Sequence, residues 1–545
     1  MKILGIGALT HDSGTALIKN GKIESAVNEE RFNRIKLSGG FPYHSLSYIK
    51  KNKESIDRIA ASDLGENDFL KKSKSLILNP YLLSTNIPTS LKTVAIMARW
   101  QLKTYLLFKQ QQEQLRKKFG KKFIQVEHHM THAASAHLTS GINKNLIITA
   151  DNHGDFLTAT ASIGEGNSIE RIHAVPWPHS PGFFYAIVTK ALGFTQWRHE
   201  GKITGLSAYG NPNSPVYQKI KKLMWFSQGT IKTRSLIGSY GYVKQLAKKY
   251  SREDMAAVFQ RVFEEVICSY TRYYMEKTGI KNIALAGGAF ANVKLNLRIK
   301  ELNADHIFIH PHMGDGGTAA GAALYATQDN KIKPYELQHI YFGPSYSDKE
   351  IKQELDKSNL DFKRMKDIEY QIAELLAKGK VVARFNGAME YGPRALGNRS
   401  ILYQATDPSV NDWLNKNLKR TEFMPFAPVT LERFAKKSYE NLKGSEYTAR
   451  FMTICFNATS YLKENCPAVV HVDNTARPQI IRKQDNLSYY KVLEEYYKIT
   501  KIPSIINTSF NMHEEPIVCS PDDAIRSFEQ GHLDYLAIGN YLVKS

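Results

Sequence analysis

Residues 2–30, KILGIGALTHDSGTALIKNGKIESAVNEE, read as three short β-strands joined by one polar loop and one tight turn. The loop is His11-Asp12-Ser13-Gly14, and the pair Asn20-Gly21 separates the second strand from the third. An Asn-Gly pair between two alternating runs is a strong β-hairpin signal. The segment therefore predicts a strand, a polar loop and a hairpin within a mixed sheet.

The same order returns at residues 145–175, as NLIITA, DNHGD, FLTATASIG, the turn Glu165-Gly166 and SIERIHAV. This is an internal repeat at a separation of about 140 residues, and each copy carries a polar Asp/Gly loop after its first strand. Two such copies build the actin-like fold of sugar kinases and Hsp70, in which a phosphate group lies between the loops. Hairpins of this kind are also common in other mixed sheets, so both interpretations stay open from pattern alone.

Two later loops have the glycines that an actin-like fold uses. Gly287-Gly288 follows the apolar run NIALA and precedes a helix-like run, where a nucleotide could approach the backbone closely. Asp315 lies in the loop Gly314-Asp315-Gly316-Gly317 after the apolar run IFI. Because ligand groups usually lie at strand ends, Asp315 is the best candidate for a remote carboxylate ligand.

A histidine cluster occupies residues 126–137, VEHHMTHAASAH. His128 and His132 are four residues apart, so on a helix both imidazoles point from one face and supply half of a divalent-metal site. A histidine-rich helix start with hydrogen-bonded rings has the same spacing. The metal interpretation therefore requires carboxylates from elsewhere in the chain.

Size and composition limit the class of protein. A chain of 545 residues with 42% hydrophobic residues predicts about two to four domains with a sizeable core. The four cysteines form no C-x-x-C pair, which argues against a zinc ribbon or a disulfide framework and favours a reducing, cytoplasmic setting. We find no secretory signal and no apolar run of about 18 residues, so we expect a soluble protein without a membrane span.

The formal charge of +21 raises the question of a polyanionic partner. Lysine is abundant along the whole chain, which favours a compositional bias combined with attraction of phosphate-bearing substrates over a dedicated nucleic-acid surface. The densest basic stretch, residues 71–122, reads as amphipathic helix and lacks the pattern of an RNA-recognition sheet. We therefore expect no nucleic-acid partner.

The alternation of strand-like and helix-like runs stops between residues 331 and 348, and we interpret this segment as a domain junction. Beyond it, basic residues lie on separate glycine- or proline-marked loops. The segments are GPRALGNRS at 392–400, Lys419-Arg420, TARP at 475–478 and NTSFN at 507–511. Basic, hydroxyl and amide side chains in such loops suit a pocket for several phosphate oxygens. For any single arginine, a structural salt bridge is the simpler explanation.

Taken together, these motifs resemble the NodU/CmcH carbamoyltransferase family. The resemblance rests on EERF at 29–32 with Arg34 and Lys36, HHxxHAASA from 128, GFFY at 182–185, AGG at 286–288, GPRALGNRS, PFAP at 425–428, TARPQ, and NTSFN followed by EPIV. They follow the family's order along nearly the whole chain. The resemblance implies an α/β protein with a duplicated actin-like (ASKHA, Kae1-like) domain at 1–335 and a YrdC-like α/β domain at 345–545.

The resemblance also implies an activity, that of an ATP-dependent O-carbamoyltransferase. The YrdC-like domain would make carbamoyl adenylate from carbamoyl phosphate and ATP with Mg²⁺. The Kae1-like domain would then pass the carbamoyl group to a hydroxyl of a small-molecule or glycan acceptor, such as a sugar or secondary metabolite. Whether the protein forms a homodimer stays open.

Residue roles follow from the same resemblance. The implied metal ligands are His128, His132, Asp151 and Asp315, with Fe²⁺ the favoured ion. His11 would be the general base that accepts the proton of the acceptor hydroxyl, and Lys36 would lie near the acceptor. The groups implied to handle carbamoyl phosphate and ATP are Arg394, Arg399, Ser400, Lys419, Arg477, Asn507 and Ser509, with Gly287 and Gly288 at the nucleotide.

The chain departs from the family pattern at three positions. Met424 stands where an arginine often precedes PFAP, and Glu514 replaces the usual glycine before EPIV. Asn152 replaces the glycine after the metal aspartate, and a side chain there restricts positive φ angles. These changes affect expected phosphate contacts.

Three rival functions fit parts of the sequence. A tRNA threonylcarbamoylation enzyme would suit the charge, but the NodU-type GPRALGNRS segment opposes it. A hydrogenase-maturation enzyme that carbamoylates cysteine would carry an acylphosphatase module and paired-cysteine zinc motifs. A non-catalytic ATP-binding actin-like module would not need the metal residues and the arginine set together.

Overall fold

The structure is a computed structural model that describes residues 1–7, 11–50, 55–62, 113, 115–117, 119–234, 236–328, 332–418 and 426–545. The predicted basic helix at 71–122 lies mostly outside the described residues, and Lys419 and Met424 lie outside them entirely. The chain forms two compact units. The first contains Met1–Glu24, Gly39–Pro42 and Ile49–Glu336, and the second contains Ser25–Ser38, Tyr43–Tyr48 and Leu337–Ser545.

The described residues between 1 and 336 form two five-stranded sheets with the same topology. The first sheet has the order β3-β2-β1-β4-β5, from strands β1 Lys2–Gly7, β2 Gly14–Lys19, β3 Lys22–Asn28, β4 Arg58–Ala61 and β5 Phe123–Gln125. The second has the order β12-β11-β6-β7-β8, from β6 Lys144–Gly154, β7 Leu157–Glu165, β8 Ser168–Pro176, β11 Asn282–Ala286 and β12 His306–Ile309. A short hairpin, β9 Met224–Ser227 and β10 Thr230–Thr233, is separate. The predicted internal repeat is confirmed.

The helices of the first unit run from His128 to Leu138, Pro181–Ala191, Glu200–Leu206, Tyr217–Ile220, Leu236–Ala247, Arg252–Thr278, Val293–Lys300 and Thr318–Tyr325. Helix Tyr43–Lys50 ends in this unit. One helix, Thr318–Tyr325, lies very close to two of its neighbours. A Cβ on Gly5 would lie 1.9 Å from the carbonyl oxygen of Ala319, and one on Gly321 would lie 2.0 Å from that of Thr131. These glycines let helix Thr318–Tyr325 lie directly against β1 and against the histidine helix.

The second hairpin differs from its prediction in one respect. Asp151 was expected to open a loop, but β6 continues to Gly154 with a register shift after Ala150. The two-residue turn Asp155-Phe156, with φ angles of 48° and 64°, pairs Gly154 with Leu157. Because positive φ at both turn residues matches the twist of the flanking strands, the ladder extends past Asp151. Asp151 is therefore held on a bulged strand and not on a loose loop.

The second unit contains an eight-stranded sheet of order β13-β22-β21-β14-β15-β20-β16-β19 and a two-stranded sheet. Its strands are β13 Phe362–Arg364, β14 Val382–Phe385, β15 Arg399–Gln404, β16 Ala427–Leu431, β17 Phe456–Asn457, β18 Thr475–Ala476, β19 Gln479–Ile481, β20 Ser504–Ser509, β21 Tyr535–Ile538 and β22 Tyr541–Lys544. Its helices are Glu30–Asn33, the start of Tyr43–Lys50, Asp348–Leu355, Ile368–Ala377, Val410–Asn417, Ala435–Ser438, Ser460–Asn465, Leu487–Thr500 and Pro521–Gln530.

The sequence placed Arg399 and Ser400 in a loop or short helix, whereas both residues begin β15. The strand before that loop is β14, whose four residues are all buried. The described residues thus form a mixed α/β protein, and a YrdC-like topology for the second unit stays a prediction. Among the described residues, no helix is long and apolar enough to cross a bilayer.

Candidate functional site

Four side chains converge in the first unit. His128 and His132 lie on helix His128–Leu138, Asp151 lies on β6, and Asp315 begins the 3₁₀ turn Asp315–Gly317. One ligand atom from each lies within 4.8 Å of the other three. The structure thus assembles the complete set of metal ligands that the family resemblance implies.

The histidine helix begins with two carboxylate contacts. The side chain of Glu127 accepts hydrogen bonds from the backbone N–H groups of His129 and Met130, and Asp155 Oδ2 accepts one from the N–H of His128 at 2.9 Å. These acceptors satisfy N–H groups that have no partner within the helix. The Nε2 atoms of His128 and His132 are 3.1 Å apart, so the prediction that both rings share one face is confirmed.

The distances fit a cation. His132 Nε2 is 3.4 Å from Asp151 Oδ2 and 3.4 Å from Asp315 Oδ1. His128 Nε2 is 3.7 Å from Asp315 Oδ1 and 4.0 Å from Asp151 Oδ2. Two ligands about 2.1 Å from one ion at angles between 90° and 180° stand about 3.0–4.2 Å apart. Two imidazoles and two carboxylates therefore suit a divalent transition metal.

Asp151 is electrostatically prepared for a cation. Burial alone would raise the pKa of Asp151, but its hydrogen bond to His132 and the charges of the two histidines hold this pKa well below its ordinary value. The backbone N–H of Gly288 also donates to Asp151 Oδ2 at 2.8 Å. Burial would lower the pKa of His132, whereas hydrogen bonds to Asp151 and Asp315 raise it. Asp151 therefore stays ionised.

His11, the predicted general base, lies beside this cluster. Its Nε2 is 3.2 Å from Asp315 Oδ2, and its side chain is 53% exposed. Burial acts to lower the pKa of His11, but the charge of Asp315 and the hydrogen bond and charge of Asp12 outweigh it and raise the pKa to about 10. A cation bound to Asp315 would compete with the His11 proton for the same carboxylate.

Two glycines that were predicted to face a nucleotide also position Asp151. Gly287 has a φ of 107°, and a Cβ there would lie 2.2 Å from the carbonyl oxygen of Ala150. Gly288 follows it and donates its N–H to Asp151. Asn152, the departure from the family, is half-buried, and its backbone N–H donates to Asp151 Oδ1 at 2.6 Å.

Gly154 was not selected from the sequence, although it is the glycine of the DNHGD segment. A Cβ on it would lie 2.1 Å from Cγ and Cδ2 of His128. We expect Gly154→Ala to displace the His128 ring, to lower the free energy of unfolding by about 1–3 kcal/mol and to reduce bound metal. Urea unfolding and metal analysis of the purified protein check this.

The control for this prediction is Gly201→Ala, because a Cβ at Gly201 meets no atom within 4 Å. Its free energy of unfolding should lie within about 1 kcal/mol of that of the wild type, with unchanged metal content. Equal metal content in the Gly154 and Gly201 variants would contradict the prediction.

In the second unit, Glu390 holds the GPRALGNRS loop. Its Oε1 accepts backbone N–H bonds from Leu396 at 2.8 Å, Asn398 at 2.7 Å and Arg399 at 3.2 Å. Sequence analysis did not select Glu390. The available signal was an acidic residue beside a basic loop, which is a typical arrangement for a carboxylate that binds backbone N–H groups.

Arg399 supports the same loop from inside the protein. Its guanidinium donates to the carbonyl oxygens of Asn386 at 2.8 Å, Asn398 at 3.0 Å and Pro344 at 3.2 Å, and lies 3.6 Å from the Phe385 ring centroid. Burial lowers the pKa of Arg399 to about 10. In this arrangement Arg399 shapes the loop and does not offer these donors to a ligand.

Arg394 has the opposite environment. Its side chain is partly exposed, and it has no hydrogen-bond or ion-pair partner among the described residues. Burial and the neighbouring charge of Arg477 lower the pKa of Arg394 well below its ordinary value. Two guanidinium groups close together, one of them without a counterion, form a typical anion-binding arrangement.

The other predicted residues of this unit lie around the loop. Ser400 Oγ accepts the N–H of Gly397 at 2.9 Å. The side-chain amide of Asn507 donates to the carbonyl oxygen of Ala395 at 3.2 Å, and Ser509 ends β20 half-buried. Lys36 belongs to the second unit, so the structure does not group it with the metal ligands of the first.

Comparison with known proteins identifies the family. The model for the carbamoyltransferase N-terminus matches residues 2–324, and the model for the carbamoyltransferase C-terminus matches residues 373–545. An uncharacterized protein of Methanocaldococcus jannaschii is 32% identical over 615 aligned positions, which cover 100% of this chain and 99% of the relative. Nodulation protein NolNO of Sinorhizobium fredii is 32% identical over 98% of this chain and 79% of its own length.

These matches span both units. The chain belongs to the carbamoyltransferase family and is a transferase. Among solved structures, HypF from T. kodakarensis is 13% identical with a TM-score of 0.37, over 60% of this chain and 48% of that one. A structural likeness this weak carries no argument about function.

Proposed function

We propose that this protein is an ATP-dependent O-carbamoyltransferase with its two half-reactions in its two units. The second unit makes carbamoyl adenylate from carbamoyl phosphate, water and ATP, with release of phosphate and pyrophosphate. The first unit transfers the carbamoyl group to an acceptor hydroxyl and releases AMP. The observation that carries the proposal is the convergence of His128, His132, Asp151 and Asp315 beside His11 in a chain of this family.

The second unit supplies positive charge for the phosphates. Arg394 is partly exposed, has no protein counterion among the described residues, and lies near Arg477. Charge-assisted hydrogen bonds from arginine to phosphate are among the strongest in proteins, particularly where water is excluded. We therefore assign Arg394 and Arg477 to the phosphate groups of the two substrates, with Mg²⁺ accompanying ATP.

The transfer step forms a bond between the acceptor oxygen and the carbamoyl carbon and breaks the bond between that carbon and the AMP oxygen. The acceptor proton goes to the neutral ring of His11, which is half-exposed and so accessible to a substrate hydroxyl. A cation on Asp315 would favour this neutral form, because it would compete with the His11 proton for the same carboxylate. A divalent ion, which we propose to be Fe²⁺, would supply positive charge that stabilises the departing phosphate. The aspartates and histidines would hold it, since their distances fit such an ion.

The acceptor is proposed to be a hydroxyl of a sugar-containing or other small molecule, in a cytoplasmic setting. A tRNA acceptor is the main alternative, and transfer from labelled carbamoyl phosphate to total tRNA would favour it. Transfer to small-molecule hydroxyls without labelling of tRNA would favour the proposal.

The central test is to incubate the metal-loaded protein with ATP and carbamoyl phosphate and to measure pyrophosphate and carbamoyl adenylate. We expect both products. Removal of the transition metal with 1,10-phenanthroline, with Mg²⁺ retained, should leave pyrophosphate release unchanged and abolish transfer, because the two half-reactions use different units. Absence of both products in metal-loaded protein would exclude the proposed function.

A further inference from the structure

The segment Glu29–Arg34, EERFNR, is close to the N-terminus of the chain but belongs to the second unit. We call it the strap. Its first residue, Glu29, accepts the backbone N–H groups of His44 at 3.0 Å and Ser45 at 2.8 Å. The two donors, His44 and Ser45, lie within the second unit as well. The strap is therefore fixed at its start by a buried carboxylate.

Arg31 connects the strap to the GPRALGNRS loop. Its side chain is only 7% exposed, and its Nη2 donates to the carbonyl oxygen of Gly392 at 3.0 Å. Its Nη1 lies 3.2 Å from Glu30 Oε1, and this ion pair fixes the position of the Arg31 guanidinium. Gly392 has a φ of 124° and stands two residues before Arg394. The Arg31 bond thus fixes the backbone turn from which Arg394 projects.

Phe32 supports the same loop by packing. Its ring contacts a buried cluster formed by Met389, Ala395, Ile517 and Cys519. Met389 and Ala395 lie on either side of the turn that bears Arg394. Two consecutive strap residues therefore hold this turn, one through a hydrogen bond and the other through apolar contact.

Arg34 anchors the far end of the strap to another part of the second unit. It donates to the carbonyl oxygens of Pro516 at 2.7 Å and Ile517 at 2.8 Å, and its Nε lies 3.0 Å from Asp523 Oδ1. Burial lowers the pKa of Arg34, while the charge of Asp523 opposes this effect. The strap is fixed at both ends, so Arg31 and Phe32 are held in a defined place beneath the loop.

We infer that Arg31, assisted by Phe32, is a positioning residue for carbamoyl adenylate formation, and that residues near the N-terminus complete the adenylate-forming unit. Arg31 acts through Gly392 on the placement of Arg394 and does not itself touch substrate. This inference rests on the proposed function of the second unit. It assigns to the EERF motif a role in the first half-reaction, whereas the sequence alone grouped this motif with the transfer domain.

The test is to measure pyrophosphate release against carbamoyl phosphate concentration at saturating ATP. A shift of about 1 Å in a positioned group can cost about 10²-fold, so we expect Arg31→Met to lower kcat/KM for carbamoyl phosphate by about that factor. Arg31→Lys keeps a cationic donor on a long stem and should stay within about tenfold of the wild type. Phe32→Leu removes the aromatic ring that contacts the buried cluster and should also lower kcat/KM, by a smaller factor than Arg31→Met.

The matched control is Ile372→Val, a mild truncation in a different buried cluster of the second unit. It should lower the urea midpoint without changing kcat/KM, which separates loss of stability from loss of positioning. If Arg31→Met and Phe32→Leu change the urea midpoint only, the inference is overturned. If the wild type makes no carbamoyl adenylate, the proposed function fails first, and this result is distinct from an active wild type with unaffected variants.

Discussion

Replacing Asp315 by asparagine is expected to slow carbamoyl transfer by about 10³-fold, since a metal ion contributes several kcal/mol of charge stabilisation and each 1.4 kcal/mol is tenfold in rate. Asp315 Oδ1 lies 3.4 Å from His132 Nε2, and Oδ2 lies 3.2 Å from His11. One carboxylate therefore contacts both a metal ligand and the proposed base. The amide has nearly the same shape but carries no charge.

The measurement follows both half-reactions with the same preparation. Release of pyrophosphate should stay within about twofold of the wild type, because adenylation is assigned to the second unit. Asp305→Asn is the matched control, since Asp305 is an exposed aspartate of the first unit and should change neither reaction. If Asp315→Asn reduces pyrophosphate release as much as it reduces transfer, the division of labour between the units is wrong.

Replacing Arg394 by methionine is expected to lower carbamoyl adenylate formation by about 10²–10³-fold, which corresponds to loss of a desolvated charge contact worth about 3–4 kcal/mol. Arg394 has no protein partner among the described residues, so its removal leaves no buried carboxylate unpaired. The fold should therefore tolerate the change. The expected effect is on catalysis and not on stability.

Pyrophosphate release and urea unfolding together check this prediction. The control is Arg433→Met, because Arg433 forms an exposed ion pair with Glu494 in the same unit, and such pairs contribute little. Arg399→Met should behave differently from both variants and lower stability, since it leaves several buried carbonyl oxygens without their donor. Normal adenylate formation by the Arg394 variant would remove this residue from the phosphate site.

Arg394 and Arg399 differ in a property that the sequence did not predict, namely their hydrogen-bond partners. Both arginines lie in GPRALGNRS, five residues apart, and both were assigned to substrates. The structure gives Arg399 backbone carbonyl partners, whereas Arg394 has none within the part of the chain that the structure describes. Hydrogen-bond partners of this kind come from residues far apart in the chain, such as Pro344, and no local pattern encodes them.

The sequence by itself determined the elements that depend on local chemistry. The Asn20-Gly21 turn, the duplicated hairpins and the shared face of His128 and His132 all follow from turn preferences and from residue spacing. The family resemblance added the four-residue ligand set and the transferase activity. Each of these inferences used residues that are neighbours in sequence or motifs in a known order.

Only the tertiary structure decided which of these residues meet. It brought Asp151 from a bulged strand and Asp315 from a 3₁₀ turn to within 3.4 Å of His132, and it used Gly154 to make room for His128. It also placed the EERFNR strap in the second unit, about 360 residues from the loop it contacts. The physical reason is that burial and backbone hydrogen bonding are satisfied by long-range packing, which spacing along the chain does not specify.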